Sequence, residues 1–280
     1  MRGAGPLQVR IPILMYHEVA DAEAVEELAR KIQRGYLLTR DDFGQQLRML
    51  ASAGYSTASL DALAQTQKGP SAATSRSVVI TFDDGFAGNY RYAFPMLQQY
   101  GFTATFFVVS NKIGDPNMLQ WHELDEMARH GMTIGSHTAN HCLLSTLDET
   151  RTKFELADSK REIEQRLGRP VHYLSLPGGD SNRWYPRLAE ECGYRGGCSS
   201  RLGLNDANTD RWFWRRITVK RTMGAESLQR LVAGDPQTWA KARAWALAKQ
   251  TIAAALGKKN YERLYIRLFG VEEQDRTLQP

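Results

Sequence analysis

The sequence predicts an α/β protein with a mostly parallel sheet, open or closed into a barrel, and two observations predict it. Short apolar, β-branched runs alternate with charged stretches of helical character, and glycine-punctuated loops join them. Acids and imidazoles stand just past the C-terminal ends of those apolar runs, where parallel α/β folds gather their active sites. With 280 residues the chain can bury a large core and is long enough for one barrel or two smaller domains.

The elements follow in order. Ile11 to Tyr16 is a short apolar run, predicted as a buried strand ending at His17. Ala22 to Arg34 is charged and helix-forming, an exposed excursion. Arg40 to Ala53 predicts a helix: Asp41 or Asp42 caps it, Phe43, Leu47 and Leu50 share a face, and Gly54 stops it. Ser56 to Leu60 reads as a short strand and Leu60 to Gln67 as a helix, followed by a Pro/Ser/Ala loop over Gly69 to Ser77. Ser77 to Phe82 is a near-continuous β-branched run, which suits a strand buried on both faces. Tyr92 to Tyr100 and Trp121 to His130 are helices closed by Gly101 and Gly131. Thr103 to Val109 and Met132 to Ser136 are strands, the second delivering His137. Leu147 to Leu167 is a long charged helix, Val171 to Leu176 a strand running into Pro177-Gly178-Gly179, and Arg187 to Cys192 a helix before another short strand.

The tail differs in composition. Gln237 to Gly270 is Ala-rich and basic, with Lys241, Arg243, Lys249, Lys258, Lys259, Arg263 and Arg267 against Glu262 alone. It predicts two helices broken near Gly257. They either pack on the barrel or form a basic amphipathic surface for an anionic membrane or a protein partner through 237–270. The formal net charge of +5 is modest. The basic residues lack an interleaved aromatic platform, so a nucleic-acid role has little support. Cys142, Cys192 and Cys198 are an odd number at irregular spacing, no disulfide framework, and read as free thiols. No stretch approaches the roughly 20 apolar residues of a spanning helix. Met1 to Arg10 has no apolar h-region, which makes the cytoplasm, with or without membrane association, the expected location.

Three pieces carry chemistry: Thr81-Phe82-Asp83-Asp84-Gly85, Ser136-His137-Thr138-Ala139-Asn140-His141, and Leu176-Pro177-Gly178-Gly179. Adjacent acids usually lie on solvated loops, but these follow a buried strand and precede a glycine turn that can bring both carboxylates to one pocket. Histidines four apart share a face if they lie on a helical turn. One carboxylate and two imidazoles make a facial ligand set with open positions, and the second aspartate is then free to act as a base on water. Metal-assisted hydrolysis follows. His122, His130 and His172 lack such company and read as structural.

The ordered motifs Thr-Phe-Asp-Asp-Gly and Ser-His-Thr-x-x-His resemble those of the polysaccharide deacetylases, the NodB-homology family also called carbohydrate esterase family 4. The resemblance spans roughly Ile11 to Arg221. It implies a distorted (β/α)7 NodB-type barrel over 1–235, with 236–280 as a basic helical C-terminal extension. It further implies a divalent metal, zinc first and cobalt, nickel or manganese as alternatives, held by Asp84, His137 and His141. Asp83 is then the general base, and Pro177, Gly178 and Gly179 shape the oxyanion and substrate site. The implied substrate is an N-acetylated glycan or a lipid-linked glycan precursor, as in exopolysaccharide biosynthesis.

Two positions depart from the family pattern. The third motif usually reads Arg-x-Pro-Tyr; here it is Ser175-Leu176-Pro177-Gly178, so the arginine that orients the base is missing, with Arg216 or Arg221 as substitutes from another strand. The late Leu-x-His motif that usually brings the acid is absent too. Leu14-Met15-Tyr16-His17-Glu18-Val19 instead resembles the N-terminal segment of the permuted poly-N-acetylglucosamine deacetylases, which makes His17 the candidate acid. Rival expectations are an amidohydrolase acting on a non-sugar acyl or cyclic amide, and an inactive glycan- or partner-binding homologue.

Overall fold

The computed structural model describes residues 10–28, 34–66, 74 and 76–256. Its strands and helices alternate as the sequence predicts. The first half runs β1 (Ile13–Tyr16), β2 (Glu18–Ala20), α1 (Ala22–Leu28), β3 (Leu37–Thr39), α2 (Arg40–Ser52), β4 (Ser56–Thr57), α3 (Leu60–Thr66), β5 (Ser77–Phe82), α4 (Phe94–Gln99), β6 (Thr105–Val108) and α5 (Trp121–Arg129). The second half runs β7 (Thr133–Ser136), α6 (Glu149–Leu167), β8 (Tyr173–Ser175), α7 (Tyr185–Glu191), β9 (Gly196–Cys198), β10 (Ile217–Thr218), α8 (Ala225–Val232) and α9 (Pro236–Leu256).

Seven parallel strands form the main sheet in the order β10-β1-β5-β6-β7-β8-β9, with β4 added on β5. The sheet curls, and Trp214, just before β10, bridges Cys198 of β9. Side chains alternate across it, as the pleat requires. Ile13, Val79, Phe107, Tyr173, Cys198 and Trp214 pack together inside the curl, with Leu60 and Leu63 of α3. Leu14, Tyr16, Val78, Ile80, Phe82, Phe106 and Val108 face the helices in the larger core. Both faces are covered, which is why all six residues of β5 are buried. At β9 the paired glycines make room for aromatics: a Cβ on Gly197 would meet the Tyr185 hydroxyl at 1.8 Å.

Strand register sets the site. Tyr16 of β1 pairs with Phe82 of β5, and Val108 of β6 with Ser136 of β7. The C-terminal ends are therefore level, so His17, Asp83 and His137 leave the sheet at one rim. Asp83 N–H donates to the Tyr16 carbonyl at 3.0 Å and His137 N–H to that of Val108 at 2.8 Å.

Several local details differ from expectation. Thr39, not Asp41 or Asp42, caps α2, accepting from the Asp42 N–H at 3.0 Å; its hydroxyl sits one residue before the helix, where an N-cap must be. The helix predicted from Tyr92 begins instead as a π-helical turn at Asn89–Ala93 before α4. Pro95 has no N–H to give residue 91, which favours the wider turn. Helix α8 escaped the sequence reading although Leu228, Leu231 and Val232 are buried. The three cysteines are free. Helix α9 meets the first tail expectation; the break near Gly257 and the second helix lie outside the described residues. Trp239 anchors α9, its indole N–H donating to the Leu231 carbonyl at 2.9 Å, while Trp245, Leu247 and Ile252 stay exposed. Among the described residues no helix is long and apolar enough to cross a membrane.

Candidate active site

Asp83 and Asp84 follow β5 directly. Asp84 has φ of 75° and Gly85 φ of 84°, so the chain turns through the left-handed region as soon as the strand ends. That turn breaks the strand's alternation and lets two consecutive carboxylates face one cleft. A left-handed non-glycine residue is strained and persists only where surrounding contacts hold it.

His137 and His141 do not sit on a helical turn, as their spacing suggested. The segment is a loop whose Thr138 and His141 have φ of 66° and 62°. Its own hydrogen bonds bend it: Thr138 N–H donates to the Ser136 hydroxyl, and His141 N–H to the Thr138 hydroxyl, each at 3.1 Å. Buried Glu155 of α6 clamps it from behind, accepting from the Asn140 backbone N–H at 2.8 Å and from its side-chain amide at 2.7 Å. The two imidazole rings end 4.8 Å apart.

Asp84 Oδ1 lies 3.3 Å from His137 Nε2 and 3.2 Å from His141 Nε2. The three donor atoms all fall within 4.8 Å of one another, a group able to hold a metal ion. Donors bonded to one ion at about 2.0–2.1 Å are separated by roughly 3.0–3.4 Å in tetrahedral or octahedral arrangement, and the two Asp84–imidazole distances fit that range. The second test is the His137 tautomer. Its Nδ1 is 2.8 Å from the Ser175 carbonyl, which can only accept, so Nδ1 carries a proton; Nε2 then donates to Asp84 when the ring is protonated and holds the lone pair a metal would take when the ring is neutral. Burial raises the Asp84 carboxyl, but hydrogen bonds from His137 and His141 outweigh it and hold it well below the usual carboxylate range.

Asp83 sits beside this cluster but outside it, with Oδ2 4.0 Å from His137 Nε2. Arg216, fully buried, grips it with a two-pronged ion pair: Nη1 to Oδ1 and Nη2 to Oδ2, both 2.7 Å. The Ser175 hydroxyl donates to Oδ2 at 2.9 Å and accepts from Arg216 Nη2 at 2.9 Å. Arg216 is itself tied down through Nε to the Ser199 carbonyl. Burial pushes the Asp83 carboxyl up, but Arg216 and His137 outweigh it and keep it below its ordinary range. The arginine missing from the third motif is thus supplied from the residue before β10. Ser175 fills the vacated space with a hydroxyl that completes the network. Arg221 does not reach Asp83.

His17 caps β1 on the same rim, its ring 4.3 Å from that of Tyr36. Nδ1 is buried and has no hydrogen-bond partner among the described residues. Desolvation lowers its pKa, and the Asp84 and Asp83 carboxylates oppose that shift. In the turn after β8, Gly179 N–H is committed to the Leu176 carbonyl at 2.8 Å. Pro177 has no N–H. Gly178, at φ of 60°, is left with a backbone N–H that no described acceptor takes.

One cleft of about 1620 Å³ is lined by His17, Asp83, Asp84, His137, His141, Gly178 and Gly179; Pro177 lies behind it. Helix α9 forms part of its wall through Arg243, Trp245, Ala246 and Leu247. Nothing in the sequence pointed to Tyr36 or Glu155.

The polysaccharide deacetylase family model matches residues 71–197. YxkH of Bacillus subtilis, a relative assigned to the polysaccharide deacetylases, is 31% identical over 223 residues, 78% of this chain and 74% of that protein. The poly-β-1,6-N-acetyl-D-glucosamine N-deacetylase of Staphylococcus epidermidis is 28% identical over 193 residues, 65% of this chain and 63% of its own length. Among solved structures, the Streptococcus pyogenes deacetylase PplD in complex with acetate superposes with a TM-score of 0.73 at 27% identity, covering 80% of this chain and 98% of that one. Curled parallel sheet and matched relatives together define an enzyme that hydrolyses carbon–nitrogen amide bonds. The chain belongs to the polysaccharide deacetylase family, with the family's NodB-type fold.

Proposed function

We propose that this deacetylase removes N-acetyl groups from the amino sugars of a polysaccharide or a lipid-linked glycan precursor. In this reading Asp84, His137 and His141 hold a divalent metal, Asp83 is the base and His17 the acid. The observation that carries it is the separation of the two aspartates. Asp84 joins the imidazoles, while Asp83 is held ionised 4.0 Å away by a partner of its own. A purely structural metal site has no use for the second carboxylate.

The donor set of two imidazoles and one carboxylate suits zinc first, with cobalt, nickel and manganese as alternatives. A divalent ion bound there supplies a Lewis acid that makes water more acidic and polarises the amide carbonyl. Asp83, held ionised by Arg216, takes the proton of the attacking water. The water oxygen bonds to the acetamide carbon, and the carbonyl electron pair moves onto oxygen, where the Gly178 N–H donates. His17 gives a proton to the amide nitrogen, the C–N bond breaks, and acetate and a free amine leave.

The shape of the cleft weighs against a small cyclic or acyl amide. Its roughly 1620 Å³ exceeds the about 300–1,000 Å³ usual for small-molecule pockets and leaves room for several sugar rings. The inactive-homologue reading rested on the lost arginine, whose place Arg216 takes.

The test is acetate release from N-acetylglucosamine oligomers by zinc-loaded protein beside Asp83→Asn and His17→Ala. Release that stops on chelation and returns with zinc, and that Asp83→Asn abolishes while retaining the metal, supports the mechanism. A large loss in His17→Ala adds the acid. No release from any oligomer by metal-loaded protein moves the function to another acyl amide or to binding.

A further inference from the structure

The cleft carries a charge pattern that deacetylation alone does not require. Besides the residues already assigned, five cations line it: Lys112, Arg201, Arg215, Lys220 and Arg243. The lining carboxylates among the described residues are Asp83, Asp84 and Asp115. Asp83 is neutralised by Arg216, and Asp84 belongs to the metal cluster. Among the described lining residues, Asp115 is thus the one carboxylate left to face Arg201, Arg215 and Arg243.

These cations are not one basic helix face. Lys112 follows β6, Arg201 and Arg215 lie in the connection from β9 to β10, Lys220 follows β10, and Arg243 comes from α9. They converge on the opening from separate directions. The Arg201 and Arg215 pair is also built in. Arg216 N–H donates to the Arg201 carbonyl at 2.8 Å. Buried Asn205 holds Arg215 at both its backbone N–H and its carbonyl, each at 2.8 Å. The Arg215 stem lies across Gly203, where a Cβ would come within 2.3 Å of its Cδ. The Arg201 guanidinium rests over the Phe213 ring at 5.6 Å, and that of Arg243 over Trp239 at 5.6 Å. Neither Arg201, Arg215 nor Arg243 forms an ion pair with a described carboxylate.

Resting on the deacetylase reading, we propose that the N-acetylated glycan entering this cleft is acidic, carrying carboxylate or phosphate groups close to the reacting acetamide. The chemistry of the product adds to the charge argument. Each turnover converts a neutral acetamide into an ammonium. A neutral glycan would gather positive charge opposite these three arginines, and its further processing would be opposed. On an acidic glycan the chain's own anion offsets each new ammonium, so successive sugars remain acceptable. Cations lining a concave wall act over a Debye length of about 8–10 Å, enough to reach the neighbouring sugars.

The experiment uses the zinc-loaded full chain and three oligosaccharides of equal length. One alternates N-acetylglucosamine with glucuronate, one is its carboxyl-reduced form, and one is the reduced form carrying sugar phosphates. Acetate release gives kcat/KM, and calorimetry gives affinity independently of turnover. The inference expects at least about a tenfold preference for an anionic oligomer over the carboxyl-reduced one at low salt. That preference should shrink several-fold in half-molar salt and fall to within about twofold in the Arg201→Gln/Arg215→Gln double variant. Whichever anionic oligomer gains more identifies carboxylate or phosphate as the recognised group. Equal release and equal affinity for all three overturn the inference while leaving the deacetylase reading intact. No release from any, with calorimetry still ranking an anionic oligomer first and the double variant erasing the rank, overturns the deacetylase reading and keeps the acidic ligand.

Discussion

Replacing Arg216 by methionine removes the partner of a carboxylate that the fold has already taken out of water. Asp83 is 2% exposed, and both its oxygens are bound by the guanidinium at 2.7 Å. Breaking a buried pair from one side costs about 3–5 kcal/mol, because the remaining charge stays buried and uncompensated. For a chain of this size that corresponds to a loss of about 6–20 °C in Tm at pH 7. The pH dependence has a definite sign. In the native chain the Asp83 carboxyl lies below its ordinary value, so the pair stabilises above the unfolded pKa of about 3.9 and loses that effect as pH falls through the folded pKa. In Arg216→Met the burial that raises Asp83 loses its chief opponent, so the pKa moves up and the buried carboxyl costs least when protonated. The deficit against wild type is therefore largest near neutrality and narrows as pH falls through the variant's raised pKa toward the native one. The acid limb of kcat/KM moves to higher pH over the same substitution, since the base must be ionised. Thermal melts from pH 3.5 to 8 and a pH–rate profile check both. Asp83→Asn combined with Arg216→Met should cost less than the sum of the singles, because it removes the orphaned charge. A deficit equal at pH 4 and pH 7, with additive singles, would refute the reasoning.

Three other changes probe the supports of the site. Ser175→Ala deletes the hydroxyl bonded to Asp83 Oδ2 while Arg216 stays; about 1 kcal/mol is at stake, seen as a roughly fivefold fall in kcat/KM with little change in Tm. Glu155→Ala frees the Asn140 amide and slackens the loop between His137 and His141, and zinc affinity measured by chelator competition should fall about 10–100-fold. Gly88→Ala places a methyl 2.0 Å from the Val19 carbonyl and 2.1 Å from Glu18 Oε1, so the backbone behind His17 must shift; a Tm loss exceeding that of the Gly224→Ala control, where φ is likewise negative and a Cβ meets nothing within 4 Å, checks it.

Much of this architecture is legible in the chain because parallel strands covered on both faces write themselves as unbroken apolar runs. Ser77 to Phe82 is such a run, and the Asp-Asp-Gly after it can only be a strand end. Short strands are harder to bound: the Arg215 to Arg221 stretch reads as a strand, but only Ile217 and Thr218 form β10, and no local period marks those limits. The histidine pair illustrates a right neighbourhood reached through a wrong geometry. Spacing of four suggests a helical turn, yet the loop with two left-handed residues brings the rings as close, and nothing local in the sequence distinguishes the two. Glu155 was silent because its role depends on where α6 crosses the loop. Ser175 read as a deficiency because a motif records which residue stands at a position, not which charge reaches it from elsewhere.

That last point explains how the site is built. Buried Asp83 needs a cation against its oxygens, and any strand whose end reaches the same rim can deliver it. Here the register pairing Met15 with Thr218 sets β10 beside β1, so Arg216, one residue before it, enters the barrel interior level with Thr81 and close enough to grip Asp83. Once the guanidinium comes from that side, a second arginine at position 175 would put two buried like charges against one carboxylate, a costly arrangement. A serine fits instead, because its hydroxyl can accept from Arg216 and donate to Asp83 at once. Serine at 175 and arginine at 216 are therefore two halves of one exchange. It follows that arginine placed at 175 in the otherwise intact chain should damage the site, while the paired change Ser175→Arg with Arg216→Met should recover part of the activity that either single change removes.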